Sequence, residues 1–409
     1  MSEKDLELKA SARRLSWQRG FSTRINVPLR VYVDKKSNTS GFEEFTDLDV
    51  LAVHVNPEGR VGVSIYDCKT SAARSTERTF WLRGLADFFG ADMAWLVREE
   101  KVTAAARQLA TRLEIGVMNR EDLQLQLTID RNFAIPMHSA YERLFTPADI
   151  SQQRQRMSAI DRRLSPLVDY LHYDYWVEDS SSNLSLLIAN LAGAARYLNP
   201  KDPTHISLLW DSAWLYLLAL ARAAEYVRLS HSNNPELSLP EYFLGGQAGI
   251  RSKQLTAKVF EELTGSRRDN LLPAYYPNLL ELFGRLYVHP TSFVGAMRYC
   301  EVLVATLCAG KRTSLDGSAG DEYDVVTAKL LLDTANFLIG AAGLVPSFRQ
   351  VARDMTMRAP ILPPPSAEGA AMQPPKIEAA EEQLTIDSAR TETADPPDSM
   401  GPESGVNTN

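Results

Sequence analysis

Cysteine is scarce. Cys68, Cys300 and Cys308 are the only three in 409 residues, and they form no metal-spaced cluster. An odd, sparse set excludes a disulfide scaffold and suits free thiols in a reducing compartment. Histidine is almost as rare. His54, His138, His172, His205, His231 and His289 show neither HExxH nor paired spacing, so each is expected to be structural or on the surface. The glycines of FLGGQAG (Gly245, Gly246, Gly249) match no phosphate-cradling pattern and read as a loop. No long apolar run is free of charge. The most apolar window, 206–227, is interrupted by Asp211, Arg222 and Glu225, which favours a buried helix over a membrane span. The first residues, MSEKDLELKASARR, lack the apolar core of a secretory signal. A cytoplasmic protein is the expectation, and no internal repeat is seen.

Positive charge is not lacking where it matters. The net charge is −7, but residues 360–409 hold nine acids and two bases. The acidity is therefore that of the tail, and the body 1–359 is formally neutral. Overall acidity does not argue against a polyanionic ligand. The tail also carries nine of the 22 prolines and is expected to be disordered.

Three regions differ in texture. Residues 1–140 mix helices and strands, 146–358 read as helices with short loops, and 360–409 form the tail. In the first, a charged helix over 3–18 stops at Gly20. Strands follow at 27–33, 45–55 and 61–69, the last two flanking the turn Asn56-Pro57-Glu58-Gly59-Arg60. A helix at 79–90, a buried strand at 93–97, a helix at 101–113 and an edge strand at 115–119 complete an α/β domain with a mixed sheet. Thr146-Pro147 begins the all-α region. Its helices are expected at 153–175, 182–198, 205–230, 250–264, 276–287, 291–309, 321–342 and 347–357. In DYLHYDYWVED, Tyr170, Tyr173, Tyr175 and Trp176 read as packing residues, although such a cluster also suits base stacking.

The chemistry lies in the hairpin. A five-residue loop makes paired positions sum to 116, so Val53 faces Val63, Leu51 faces Ile65 and Asp49 faces Asp67. Opposite residues share a face, with Cβ atoms about 4.5–5.5 Å apart, and Lys69 joins that face by the period of two. Two facing carboxylates repel. A hard divalent cation removes the conflict, because Mg²⁺ takes one or two carboxylates plus water and phosphate oxygens. The adjacent lysine suits stabilisation of charge on phosphate, or activation of water if its pKa is depressed. The set suits metal-assisted phosphodiester hydrolysis. Asp47 is the rival first acid, of the same parity but beyond the paired hairpin.

On these residues the chain resembles the PD-(D/E)xK nuclease superfamily, the restriction-endonuclease-like fold. Asp49 stands at the family's first metal-binding acid, and Asp67-Cys68-Lys69 matches its (D/E)xK tripeptide. GFSTRINVPLRVYV and GADMAWLV look like the flanking pieces. The likeness covers residues 5–120, and the family's proline before the acid is replaced by Thr46-Asp47-Leu48. It implies an Mg²⁺-dependent endonuclease acting on DNA, with Mn²⁺ as substitute. Asp49, Asp67 and the Cys68 carbonyl hold the metal, Lys69 serves the water and phosphate, and the bond to the 3′ oxygen breaks. It also implies an acid on the first helix, Glu7 ahead of Glu3, as a further ligand. Glu43 and Glu44 read as solvated. Arg78 and Arg83, with Arg74 before them, are candidates for phosphate contacts. The alternative is an inactive nuclease-like scaffold or DNA-binding protein acting through partners held by the helical region. A homodimer is an arrangement that duplex cutting often uses; the oligomeric state stays open.

Overall fold

Alternating apolar residues build a sheet at the centre of the first region. The computed structural model describes residues 3–35, 39–70, 75–133, 140–230, 234–265, 271–320 and 323–357. The expected tail, 360–409, lies outside these, as do Arg74, His138 and His231. The first region runs α1 (Glu3–Gln18), β1 (Ser22–Lys35), β2 (Thr39–Val55), β3 (Val61–Lys69), α2 (Ser75–Phe89), β4 (Met93–Arg98), α3 (Ala104–Arg112), β5 (Ile115–Asn119) and α4 (Arg120–Phe133). The five strands lie in the order β1-β2-β3-β4-β5. Strand β2 runs antiparallel to both β1 and β3, while β3, β4 and β5 run parallel through the crossovers containing α2 and α3. The mixed sheet is as expected. So is its register: Val53 faces Val63 and Leu51 faces Ile65.

A largely helical region follows: α5 (Pro147–Ser158), α6 (Ser165–His172), α7 (Ser180–Ala194), α8 (Pro203–Leu229), α9 (Pro235–Phe243), α10 (Gly246–Thr264), α11 (Tyr276–Tyr287), α12 (Pro290–Cys308), α13 (Leu315–Ala319), α14 (Val325–Ala341) and α15 (Ser347–Thr356). The single helix expected over 153–175 is instead two. Pro166 lies in the first turn of α6, where its missing N–H is harmless, whereas inside a continuous helix it would break the ladder. The expected loop FLGGQAG is also corrected. Gly245 and Gly246 adopt positive φ and separate α9 from α10, a backbone state that glycine reaches without strain. Gly249 is already helical, and a Cβ there would meet the Leu244 carbonyl oxygen at 2.0 Å.

The two sheet faces bury different partners. Val50, Ala52, Tyr66 and Cys68 pack with Leu8, Ala12 and Leu15 of α1 and Leu123 of α4. Leu51, Val53, Val63 and Ile65 join Leu82 and Leu85 of α2 in a second cluster. That cluster continues without a break into Leu144, Phe145, Trp214, Leu215 and Leu303. The change of texture at 140–150 is therefore not a gap in packing. Helices α8 and α12 are long and apolar enough to cross a membrane by length and composition, and both are mostly buried here among other elements.

The charges that interrupt α8 fasten it to the sheet. Asp211 accepts from Arg24 of β1. Glu225 accepts from the Val61 main chain at 3.3 Å, and Arg222 donates to the Val61 carbonyl at 3.4 Å. A mid-helix charge has to find such a partner when its neighbours are buried.

Candidate functional site

The apolar row of the β2–β3 hairpin ends in charge. Asp49 and Asp67 are only 2% and 4% exposed. The Lys69 ammonium lies 3.2 Å from Asp49 Oδ2 and 3.4 Å from Asp67 Oδ1. The Cys68 N–H donates to Asp49 Oδ2 at 2.7 Å, which ties the end of β3 to the middle of β2. The three residues singled out by strand parity thus meet at one point. The Cys68 thiol packs on the α1 side of the sheet. Burial, reinforced by Asp49 and Asp67, pushes its pKa up, so the thiol stays protonated and only its main chain faces site chemistry.

Two further cations brace the acids. Lys9 of α1 is buried and lies 2.5 Å from Asp49 Oδ1 and 3.6 Å from the half-exposed Asp47. It also donates to Asn26 Oδ1. Arg78, one turn into α2, forks onto Asp67 through Nε and Nη2 at 2.7 and 2.6 Å. Its guanidinium lies 3.4 Å from the Trp81 ring centroid, a cation–π contact that fixes the plane of the fork. Lys9 was missed by sequence reading. The available signal was its position in the stripe Leu6, Ala10, Arg13 and Trp17, since a cation on a buried helical face needs a buried partner.

The other candidates are placed elsewhere. Glu7 pairs with Arg120 at 3.1 Å, and Arg120 also holds Glu99 at 2.5 Å. The first-helix acid on the site's side is instead Asp5, which accepts from Thr70; the four-residue step Asp5, Lys9, Arg13 faces one cavity. Glu3 is exposed and lines a separate hollow. Arg83 bonds Asp87 one turn on and the Leu113 carbonyl, with Glu114 at 3.8 Å, so it points away from the acids. Glu43 and Glu44 are exposed, Glu44 at the cavity rim.

The ammonium of Lys69 is held charged. Burial works to lower its pKa, but Asp49 and Asp67 outweigh burial and the opposing Arg78, so the pKa lies above the ordinary lysine value. A depressed lysine acting as a base is not what this geometry favours. As for a metal, no group of three or more His, Cys, Asp or Glu in ligating reach occurs among the described residues. Asp49 and Asp67 nonetheless offer carboxylate oxygens of the kind that Mg²⁺ takes, the rest of its shell being water and phosphate, although each of these oxygens already faces a cation or an N–H. The cavity beside them has seven acids and five lysines or arginines on its wall, and a dication would bring that wall to neutrality. On donor chemistry and charge, the residues fit.

That cavity has a volume of 930 Å³ and lies between the sheet and the helices. Asp49, Lys9, Arg13, Trp214 and Glu301 are buried at its floor, while Glu44, Arg154 and Asp169 are exposed at its rim. The helical region, which carries no motif, supplies most of one side through α5, α6, α8 and α12. The aromatic run at 170–176 divides accordingly. Tyr170 and Tyr175 are buried and bonded to Asn183 and the Leu215 carbonyl, whereas His172, Tyr173 and Trp176 line the cavity.

His172 gives the wall a pH dependence. Burial pushes its pKa down, with Asp211 opposing, Arg24 adding to the depression and Asp169 opposing. The fold therefore prefers the neutral ring. Stability from this residue is complete above the ordinary value of about 6.5 and is lost as pH falls below it. Between about pH 7.5 and about pH 5.5, the thermal midpoint should fall more for the wild type than for His172→Gln. Equal falls would show that the ring contributes nothing. No protein-family model, curated protein or solved structure matches the chain.

Proposed function

We propose that this chain is a divalent-metal-dependent nuclease of restriction-endonuclease-like fold, acting on DNA. The observation that carries the reading is the convergence of Asp49, Asp67 and Lys69 just past the last paired residues of β2 and β3, where Asp49 and Lys69 line a cavity. Asp49, Asp67 and the Cys68 carbonyl would hold Mg²⁺, which supplies a Lewis acid and a more acidic bound water. Lys69 keeps its proton and presents positive charge to the phosphate, where charge develops during attack. Arg78, about a quarter exposed, is the second group able to reach a phosphate oxygen, its fork matching that geometry. Water oxygen bonds to phosphorus as the bond to the 3′ oxygen breaks, and that oxygen takes a proton.

One observation favours a second reading. Both Asp67 oxygens already rest in the Arg78 fork, and Asp49 already has Lys9 and Lys69. An ion cluster so balanced also serves an inactive, DNA-binding scaffold. The full chain incubated with single-stranded and plasmid DNA in Mg²⁺ or Mn²⁺ separates the two. Cleavage abolished by chelation and by Asp67→Asn supports the nuclease; binding without cleavage in either metal supports the scaffold.

A further inference from the structure

We infer that the substrate is an unpaired DNA strand drawn into the cavity, and not a continuous duplex lying across the site. This rests on the nuclease reading and names its substrate class. The acids are not on an open face. Asp49 and Asp67 are almost wholly buried, and Asp49 is reached from the cavity whose rim is formed by Glu44 of β2, Arg154 of α5 and Asp169 of α6. The space behind that rim has a volume of 930 Å³. The floor lies behind a rim that a continuous duplex would have to straddle, whereas pockets of about 300–1,000 Å³ enclose ligands of nucleotide size.

The lining has the mixed character that a single strand needs. Lys69 and Arg154 offer charge to phosphates. His172, Tyr173 and Trp176 offer ring surface on the wall supplied by the helical region, and stacking tolerates any base. The remaining wall cations are committed: Lys9 to Asp49, Arg13 to Glu301 and Arg24 to Asp211. Recognition would thus be by size and stacking more than by a broad basic face, which a duplex binder would show.

The test uses the full chain in Mg²⁺ with a short labelled single strand and a relaxed, covalently closed duplex circle. Cleavage of both is timed, and the circle is also tested as a competitor for binding the single strand. Val168→Trp fills the cavity from α6, and Gln153→Trp fills it from α5 should the first variant fail to fold by thermal melting. The single strand should be cut at least about tenfold faster than the circle, and a filling variant should weaken its binding by about tenfold, the scale of one lost base stack. Equal cutting of the circle, or unchanged strand binding in the filled variants, overturns the inference while leaving a nuclease. If neither DNA is cut, the nuclease reading fails. In that case preferential binding of the single strand, weakened by filling, still supports the cavity as a strand site, and its absence overturns that as well.

Discussion

Lys69→Ala should lower DNA cleavage by at least about 10²–10³-fold, the usual loss when one preorganised charge donor to a transition state is removed. The ammonium sits within 3.4 Å of both acids. Any phosphate oxygen bound beside them would meet it. The protein should stay folded, because neither acid is left alone: Asp49 keeps Lys9, and Asp67 keeps Arg78. This makes the lysine a cleaner probe than Asp49→Ala, which would strand the buried Lys9 and confuse chemistry with stability. Single-turnover cleavage by the variant, with its melting curve beside that of the wild type, is the measurement. Undiminished cleavage in a folded Lys69→Ala protein removes the mechanism.

The same geometry decides between two roles for the lysine. Its pKa is raised because two carboxylates outweigh burial. A general base needs the opposite shift, toward the working pH. Lys69 is therefore assigned as a source of charge and orientation. In the proposed reaction, proton removal from water would fall to solvent reaching Asp49 from the cavity side.

Much of this site was legible because strand arithmetic is rigid. Once the turn at 56–60 is read, the period of two fixes which residues share a face, and Leu51 faces Ile65 as it requires; the paired ladder stops at Val50 and Tyr66, one residue short of Asp49 and Asp67, which meet through Lys69. Helix partners are less constrained. Glu7 was a reasonable choice from residue type, but a 3.6-residue period turns it toward Arg120 and turns Asp5 and Lys9 toward the site. Helix α4 was not anticipated, although its start was written in the chain: Asn119 and Asp122 exchange side-chain bonds with each other's main-chain N–H at 2.7 and 3.1 Å. The cavity was not legible at all. It depends on α5, α6, α8 and α12 closing over the sheet edge, and no local pattern encodes which faces of distant helices meet.

Beside the apolar core, a buried polar knot helps hold those helices in place, and its loss should be a large stability effect. Glu301 of α12 accepts from Ser22 Oγ at 2.5 Å, Thr23 N at 2.7 Å, Thr23 Oγ1 at 2.8 Å and Arg13 Nη2 at 2.9 Å. Arg13 also donates to the Leu144 carbonyl, and Trp214 of α8 donates to Ser22. One carboxylate thus joins α1, β1 and α12, with α8 one bond away. Glu301→Ala leaves a buried guanidinium without its counter-charge, held only by the Leu144 carbonyl and Thr23 Oγ1, and a buried N–H unpaired, and should destabilise by about 3–5 kcal/mol, much of an ordinary domain's stability of about 5–15 kcal/mol. Removing both charges should be milder, since Arg13→Met with Glu301→Leu replaces the pair by packing. Urea unfolding of the single and double variants reads the difference; a single variant within about 1 kcal/mol of wild type would show that the pair contributes no more than an exposed one. Because Arg13 is one turn from Lys9 on α1, the knot also sets the depth at which Lys9 meets Asp49. The double variant, though folded, should therefore cleave more slowly than wild type if α1 is the element that positions the acid.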